Sequence, residues 1–68
     1  MKASELVSNG TVTIEDLKDF IDGTGNWEST QSDLNNATGF DKTVLDLNTD
    51  EDFTDEDILN SKLIDGSF

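Results

Sequence analysis

The sequence predicts a small, mainly α-helical single domain over residues 1–68, with an α+β arrangement of short strands as the competing reading. Two observations carry this. A hydrophobic-Thr-x-acid-acid-hydrophobic segment occurs twice, as Val12-Thr13-Ile14-Glu15-Asp16-Leu17 and as Phe53-Thr54-Asp55-Glu56-Asp57-Ile58, 41 residues apart. Leu, Ile, Val and Phe supply 18 of the 68 residues, above the roughly 20% at which strongly charged chains stay disordered.

Each of the paired segments reads as a helix start. Thr13 and Thr54 stand where an N-cap hydroxyl accepts from a first-turn N–H, and Asp16 and Asp57 hold the reciprocal position of a capping box. Val12 with Leu17, and Phe53 with Ile58, have the spacing of a hydrophobic staple.

Along the chain, Ser4 to Val7 is expected to form one helical turn before Asn9-Gly10. The first full helix is predicted from Ile14 to Asp22, with Leu17, Phe20 and Ile21 on one face and Gly23 in the left-handed turn that ends it. Gly23 to Asn26 reads as a loop, and Ser29 to Ala37 as a short helix closed by Gly39. Asp41 is positioned to cap a helix over Lys42 to Leu47, while Thr43 to Leu47, like Thr11 to Ile14, has enough β-branched and apolar character for a strand. The last helix is predicted from Asp55 to Ile64, on the helical spacing of Ile58, Leu59, Leu63 and Ile64, with Gly66 beyond it. Trp27 is expected in the core, with an interface anchor as its role if exposed. Phe68 is expected to serve a dimer contact or to be disordered.

The inventory excludes much chemistry. The chain has no His, Cys, Tyr, Arg or Pro, so it holds no imidazole or thiol for nucleophilic, acid-base or zinc chemistry. Carboxylate-pair hydrolysis needs a concave, partly dry pocket that a chain this short encloses with difficulty. The expectation is therefore a protein that is not an enzyme and needs no cofactor. A domain near this size buries only about 60% of its unfolded surface, so a monomer must pack tightly, and a homodimer is the other solution. No apolar stretch approaches the roughly 18 residues of a membrane span, and the opening Met1-Lys2-Ala3-Ser4-Glu5 lacks the apolar run of a signal peptide. A soluble, cytoplasmic protein is expected.

Sixteen acids against four lysines give a net charge of −12. Such a charge repels nucleic acid and anionic membrane and attracts basic surfaces. Glu15, Asp16, Asp55, Glu56 and Asp57 fall in predicted first turns, where the helix dipole stabilises negative charge. The acids outside the caps invite a functional account, and six are the candidate partner-binding surface: Asp19, Asp22, Asp46, Asp50, Glu51 and Asp52. Carboxylates at helical i, i+3 or i+4 spacing lie about 5–6 Å apart at Cβ, comparable with neighbouring phosphates. Asp16, Asp19 and Asp22 have this spacing, as do Asp52 and Glu56 if the last helix reaches back that far.

In size, charge and lack of catalytic side chains, the chain resembles the small acidic inhibitors that bacteriophages make against host DNA-binding or DNA-modifying proteins, some of which are DNA mimics. The resemblance spans the whole chain and includes no shared motif. It implies an inhibitor that occupies the nucleic-acid-binding groove of a basic DNA-binding protein, for example a histone-like nucleoid protein, in the host cell cytoplasm, without direct contact to nucleic acid or membrane. Association would be fast and strongly salt-dependent.

Two alternatives stand beside it. Asp46 to Asp57 resembles a twelve-residue EF-hand loop, with Asp46, Asn48 and Asp50 at the first three ligand positions, Phe53 at the apolar eighth and Asp57 at the twelfth. Glu51 departs from it where the sharp turn needs glycine, and Asp57 is shorter than the usual chelating Glu. The primary reading assigns no metal. The second alternative is an acidic protein-interaction module not directed at a DNA-binding site.

Overall fold

Both capping boxes form in the computed structural model, which describes residues 1–67. At the first, Thr13 is extended, its Oγ1 accepts from the Asp16 N–H at 3.1 Å, and its own N–H donates to Asp16 Oδ2 at 3.1 Å. The helix it starts spans Ile14–Asp22, the predicted bounds, and is α2 in chain order after α1, Ala3–Ser8. Gly23 ends α2 at φ 70°, a left-handed conformation that costs a side-chain-bearing residue about 1–2 kcal/mol. At the second box, the Thr54 N–H donates to Asp57 Oδ2 at 2.9 Å and the Asp57 N–H to Thr54 Oγ1 at 3.3 Å.

The helix begun by Thr54, α4, spans Asp55–Asn60 and stops four residues short of the predicted Ile64. Ser61 is extended, its hydroxyl donates to the Asp57 carbonyl at 2.8 Å, and the chain continues as strand β2, Leu63–Asp65. β2 pairs antiparallel with β1, Thr43–Leu45, in the register Thr43 with Asp65, Val44 with Ile64 and Leu45 with Leu63. The ladder is extended by Asp46 N–H to Lys62 O at 2.9 Å and Gly66 N–H to Lys42 O at 2.7 Å. On the other side of β2, the Leu63 N–H donates to Met1 O at 2.9 Å, beside an isolated bridge between Lys2 and Lys62. These long-range backbone bonds replace the helical ones that the spacing of Leu63 and Ile64 allowed. The two residues follow strand alternation instead: Leu63 is 5% exposed and Ile64 41%.

α1 extends the expected turn to Ala3–Ser8. α3, Trp27–Thr38, covers the predicted Ser29 to Ala37 and ends at Gly39. Asp41 caps no helix, because Thr43 to Leu45 belong to the sheet. Thr11 and Val12 are not a strand; the Thr11 N–H and hydroxyl both donate to Asn9 Oδ1, at 3.0 and 2.6 Å, and bend the chain from α1 into the N-cap of α2. The fold is thus the α+β form: four helices over about half the chain and a two-stranded antiparallel sheet among the described residues.

The core gathers Ala3, Leu6, Val12, Leu17, Leu34, Ile58 and Leu63, with Val7, Ile14, Phe20, Ile21, Ala37, Leu45, Leu47 and Phe53 packed on it half-buried. Both staples therefore face one core. Trp27, expected there, is 38% exposed. It opens α3, one turn before the first buried residue of that helix, Thr30, and so lies at the margin of the apolar interior. Buried polar groups are bonded: Thr43 Oγ1 lies 2.7 Å from Thr38 Oγ1, the Thr43 N–H donates to Asn35 Oδ1 at 2.8 Å, and its carbonyl accepts from Gln31 Nε2 at 2.9 Å. Phe68 lies outside the described residues. No helix among the described residues is long and apolar enough to cross a membrane.

Candidate acidic interface

The acids ahead of α4 are displayed by a segment held at both ends. Leu47 and Phe53 pack on the core, and between them Asn48, Thr49, Asp50, Glu51 and Asp52 are exposed. Asn48 Oδ1 accepts from the Asp50 N–H at 3.0 Å, an Asx turn that bends the backbone outward. α4 adds Asp55, Glu56 and Asp57 in its first turn, all exposed. Asp46, directly after β1, is exposed as well. Residues 50–57 thus present six carboxylates in eight positions, with Thr54 and the half-buried Phe53 between them. Asp52 precedes the N-cap, so Asp52 and Glu56 do not share helical spacing.

The acids of α2 divide. Asp16 is committed to the Thr13 N–H. Asp19 is half-buried, and its carboxylate lies over the turn into α3, with Oδ2 2.6 Å from where a Cβ on Gly25 would stand; Gly25 itself is at φ 57°, the left-handed conformation that favours glycine. Asp22, the last residue of α2, is exposed. Both Asp19 and Asp22 sit in the last turn of α2, which holds no basic residue and where the helix dipole disfavours negative charge.

α2 and α4 lie side by side, joined by an ion pair of 3.0 Å between Lys18 Nζ and Asp55 Oδ1. The hydrogen bond to Asp55 and the charge of that carboxylate raise the Lys18 ammonium above the ordinary lysine value, with Glu15 adding to the effect. Lys18 and Asp55 are both well exposed, so solvent screens the pair. Between the two helices is a cleft of about 240 Å³ lined by Lys18, Asp22, Phe53, Asp55 and Ile58. It brings Asp22 to the wall that continues into the 50–57 run. Of the six predicted surface residues, Asp22, Asp46, Asp50, Glu51 and Asp52 are exposed, whereas Asp19 is turned to the α2–α3 connection.

Lys18, Phe53 and Ile58 were not readable as lining residues. Their signal in the sequence is structural, a staple and a lone lysine, and the cleft arises only because two similarly capped helices pack together. At the other end of the chain, Asp65 Oδ1 accepts from the hydroxyl and N–H of Ser67, at 2.7 and 3.0 Å, which holds its carboxyl below the ordinary aspartate value.

The residues of the alternative calcium loop are not brought together. Asp46 follows a strand where an EF-hand has its entering helix, Asn48 is engaged with the Asp50 N–H, and Asp57 is held by the Thr54 N–H. Among the described residues no three acidic side chains form a group able to hold a metal ion.

Compared with protein-family models, with curated proteins and with solved structures, the chain matches none of them. Chemically, the arrangement offers a field of solvated carboxylates beside a cleft with an apolar floor.

Proposed function

We propose that the chain is an acidic DNA mimic that occupies the nucleic-acid-binding surface of a basic DNA-binding protein and blocks it. One observation carries the reading: Asp50, Glu51 and Asp52, with Asp55, Glu56 and Asp57, form an exposed acidic run in which Asp55 alone is ion-paired among the described residues. So much uncompensated charge weakens the fold by self-repulsion, and a basic partner would relieve it. Binding would be driven by contact with lysines and arginines and by counterion release, so its affinity would fall steeply with salt.

The test is displacement. A histone-like nucleoid protein bound to labelled duplex is titrated with the chain, followed by other basic DNA-binding proteins. The expected result is release of the duplex in proportion to added chain, lost as salt rises. A variant with Asp46, Asp50, Glu51 and Asp52 all changed to Lys should keep its helical circular dichroism and release nothing. Equal release by that variant, or no release from any partner tested, overturns the proposal. A captured partner that persists at high salt would instead indicate an interaction module held by apolar contacts.

A further inference from the structure

We infer that the cleft between α2 and α4 seats one arginine side chain of the partner, and so supplies the specific anchor that a diffuse acidic field lacks. The inference rests on the proposal that this face meets a basic protein, and names the partner group it grips.

Three features of the cleft point to that occupant. Its volume of about 240 Å³ is below the roughly 300–1,000 Å³ of pockets that enclose whole small molecules, and suits one inserted side chain. Its lining is divided: the half-buried Phe53, over the fully buried Ile58, offers an apolar surface for an alkyl stem, while Asp22 and Asp55 are the acids on its wall, Asp55 already paired with Lys18. The chain already shows that this wall accepts a cation, because the Lys18 ammonium rests 3.0 Å from Asp55.

Asp22 is the free half of the site. It makes no ion pair among the described residues and stands at the C-terminal end of α2, where the dipole opposes a negative charge and no cap requires one. Arginine fits better than lysine. Its planar guanidinium can lie on the ring of Phe53 and fork to a carboxylate, whereas an ammonium is a compact, strongly hydrated point charge. Buried arginine anchors are among the side chains that dominate protein interfaces.

The probe is N-acetyl-arginine amide, titrated into the isotope-labelled whole chain and followed by NMR, beside the uncharged isostere N-acetyl-citrulline amide. Saturable shifts should gather on Lys18, Asp22, Phe53 and Ile58 with the arginine compound and be absent with citrulline. Asp22→Asn should weaken the arginine compound up to about fivefold, the upper range for an exposed ion pair. Asp33→Asn, the same charge change on exposed α3 surface, should leave it unchanged. Asp22→Asn removes an acid from the wrong end of a helix, so the variant should fold.

Shifts spread evenly over all exposed carboxylates, shifts equal with citrulline, or equal weakening by both variants would overturn the inference. Those results leave duplex displacement as found, since that assay reads residues 46 and 50–52. Loss of displacement with an intact arginine titration would sink the DNA-mimic reading alone.

Discussion

Helices α2 and α4 begin with the same device, yet one runs nine residues to a left-handed glycine and the other stops after six and turns into a strand. Each start is local: a threonine hydroxyl, an aspartate three residues on, and a staple that drops one apolar side chain, Leu17 or Ile58, into the common core. The stops have different origins. Gly23 ends α2 from within its own sequence, whereas α4 ends because Leu63–Asp65 has a partner in Thr43–Leu45. A capping motif fixes where a helix begins; its length depends on what the following residues can bind instead.

The sharpest way to break this equivalence is to empty the two staple positions. Leu17 and Ile58 are both fully buried, so Leu17→Ala and Ile58→Ala should each cost about 2–5 kcal/mol in urea unfolding. A much smaller loss at Ile58 would mean that the short helix is seated less firmly than the long one. The caps come next. Thr13→Ala and Thr54→Ala should each cost about 1 kcal/mol by the same measurement, and a negligible loss at either would show that its box contributes little.

The smallest effects come from the two shifted exposed groups. The raised Lys18 value means that its pairing with Asp55 stabilises the fold below the ordinary lysine value and is lost as pH rises through the raised one. The lowered Asp65 value works at the other end: its turn with Ser67 contributes above the ordinary aspartate value of about 4 and is lost as pH falls through the lowered one. Side-chain NMR should find Lys18 titrating above its ordinary value and Asp65 below it, and Lys18→Met should remove the alkaline effect alone. An ordinary Lys18 value would mean that the Lys18–Asp55 pair adds nothing to the packing of α2 on α4.

The bounds of α2 were legible because every determinant lies between Val12 and Gly23. The end of α4 was not, because Ile58, Leu59, Leu63 and Ile64 satisfy a helix as well as a helix followed by a strand, and the choice depends on β1, 18 to 22 residues earlier. Thr43 to Leu47 carried the strand signal, and the structure uses its first three residues. The acids of the proposed interface could be read from the sequence as a surplus near residues 46–57. Their grouping with Asp22 could not, since no periodicity states which helices are neighbours. Asp19 looked equivalent to Asp22 by spacing, but the chain's turn at Gly25 drew it inward. Trp27 looked like core by its size, and its place at the first position of α3 left it at the margin.

The two amides of α3 that reach β1 have a consequence for assembly. By taking up the N–H and the carbonyl of Thr43, Asn35 and Gln31 close the outer edge of β1 at that residue, where a foreign strand could otherwise begin to pair. A protein this small, with its second strand already flanked by its own first residues, is thereby steered away from recruiting others by backbone annealing at Thr43. At Thr43, two uncharged amides guard a molecule whose other defence against self-stacking is its charge.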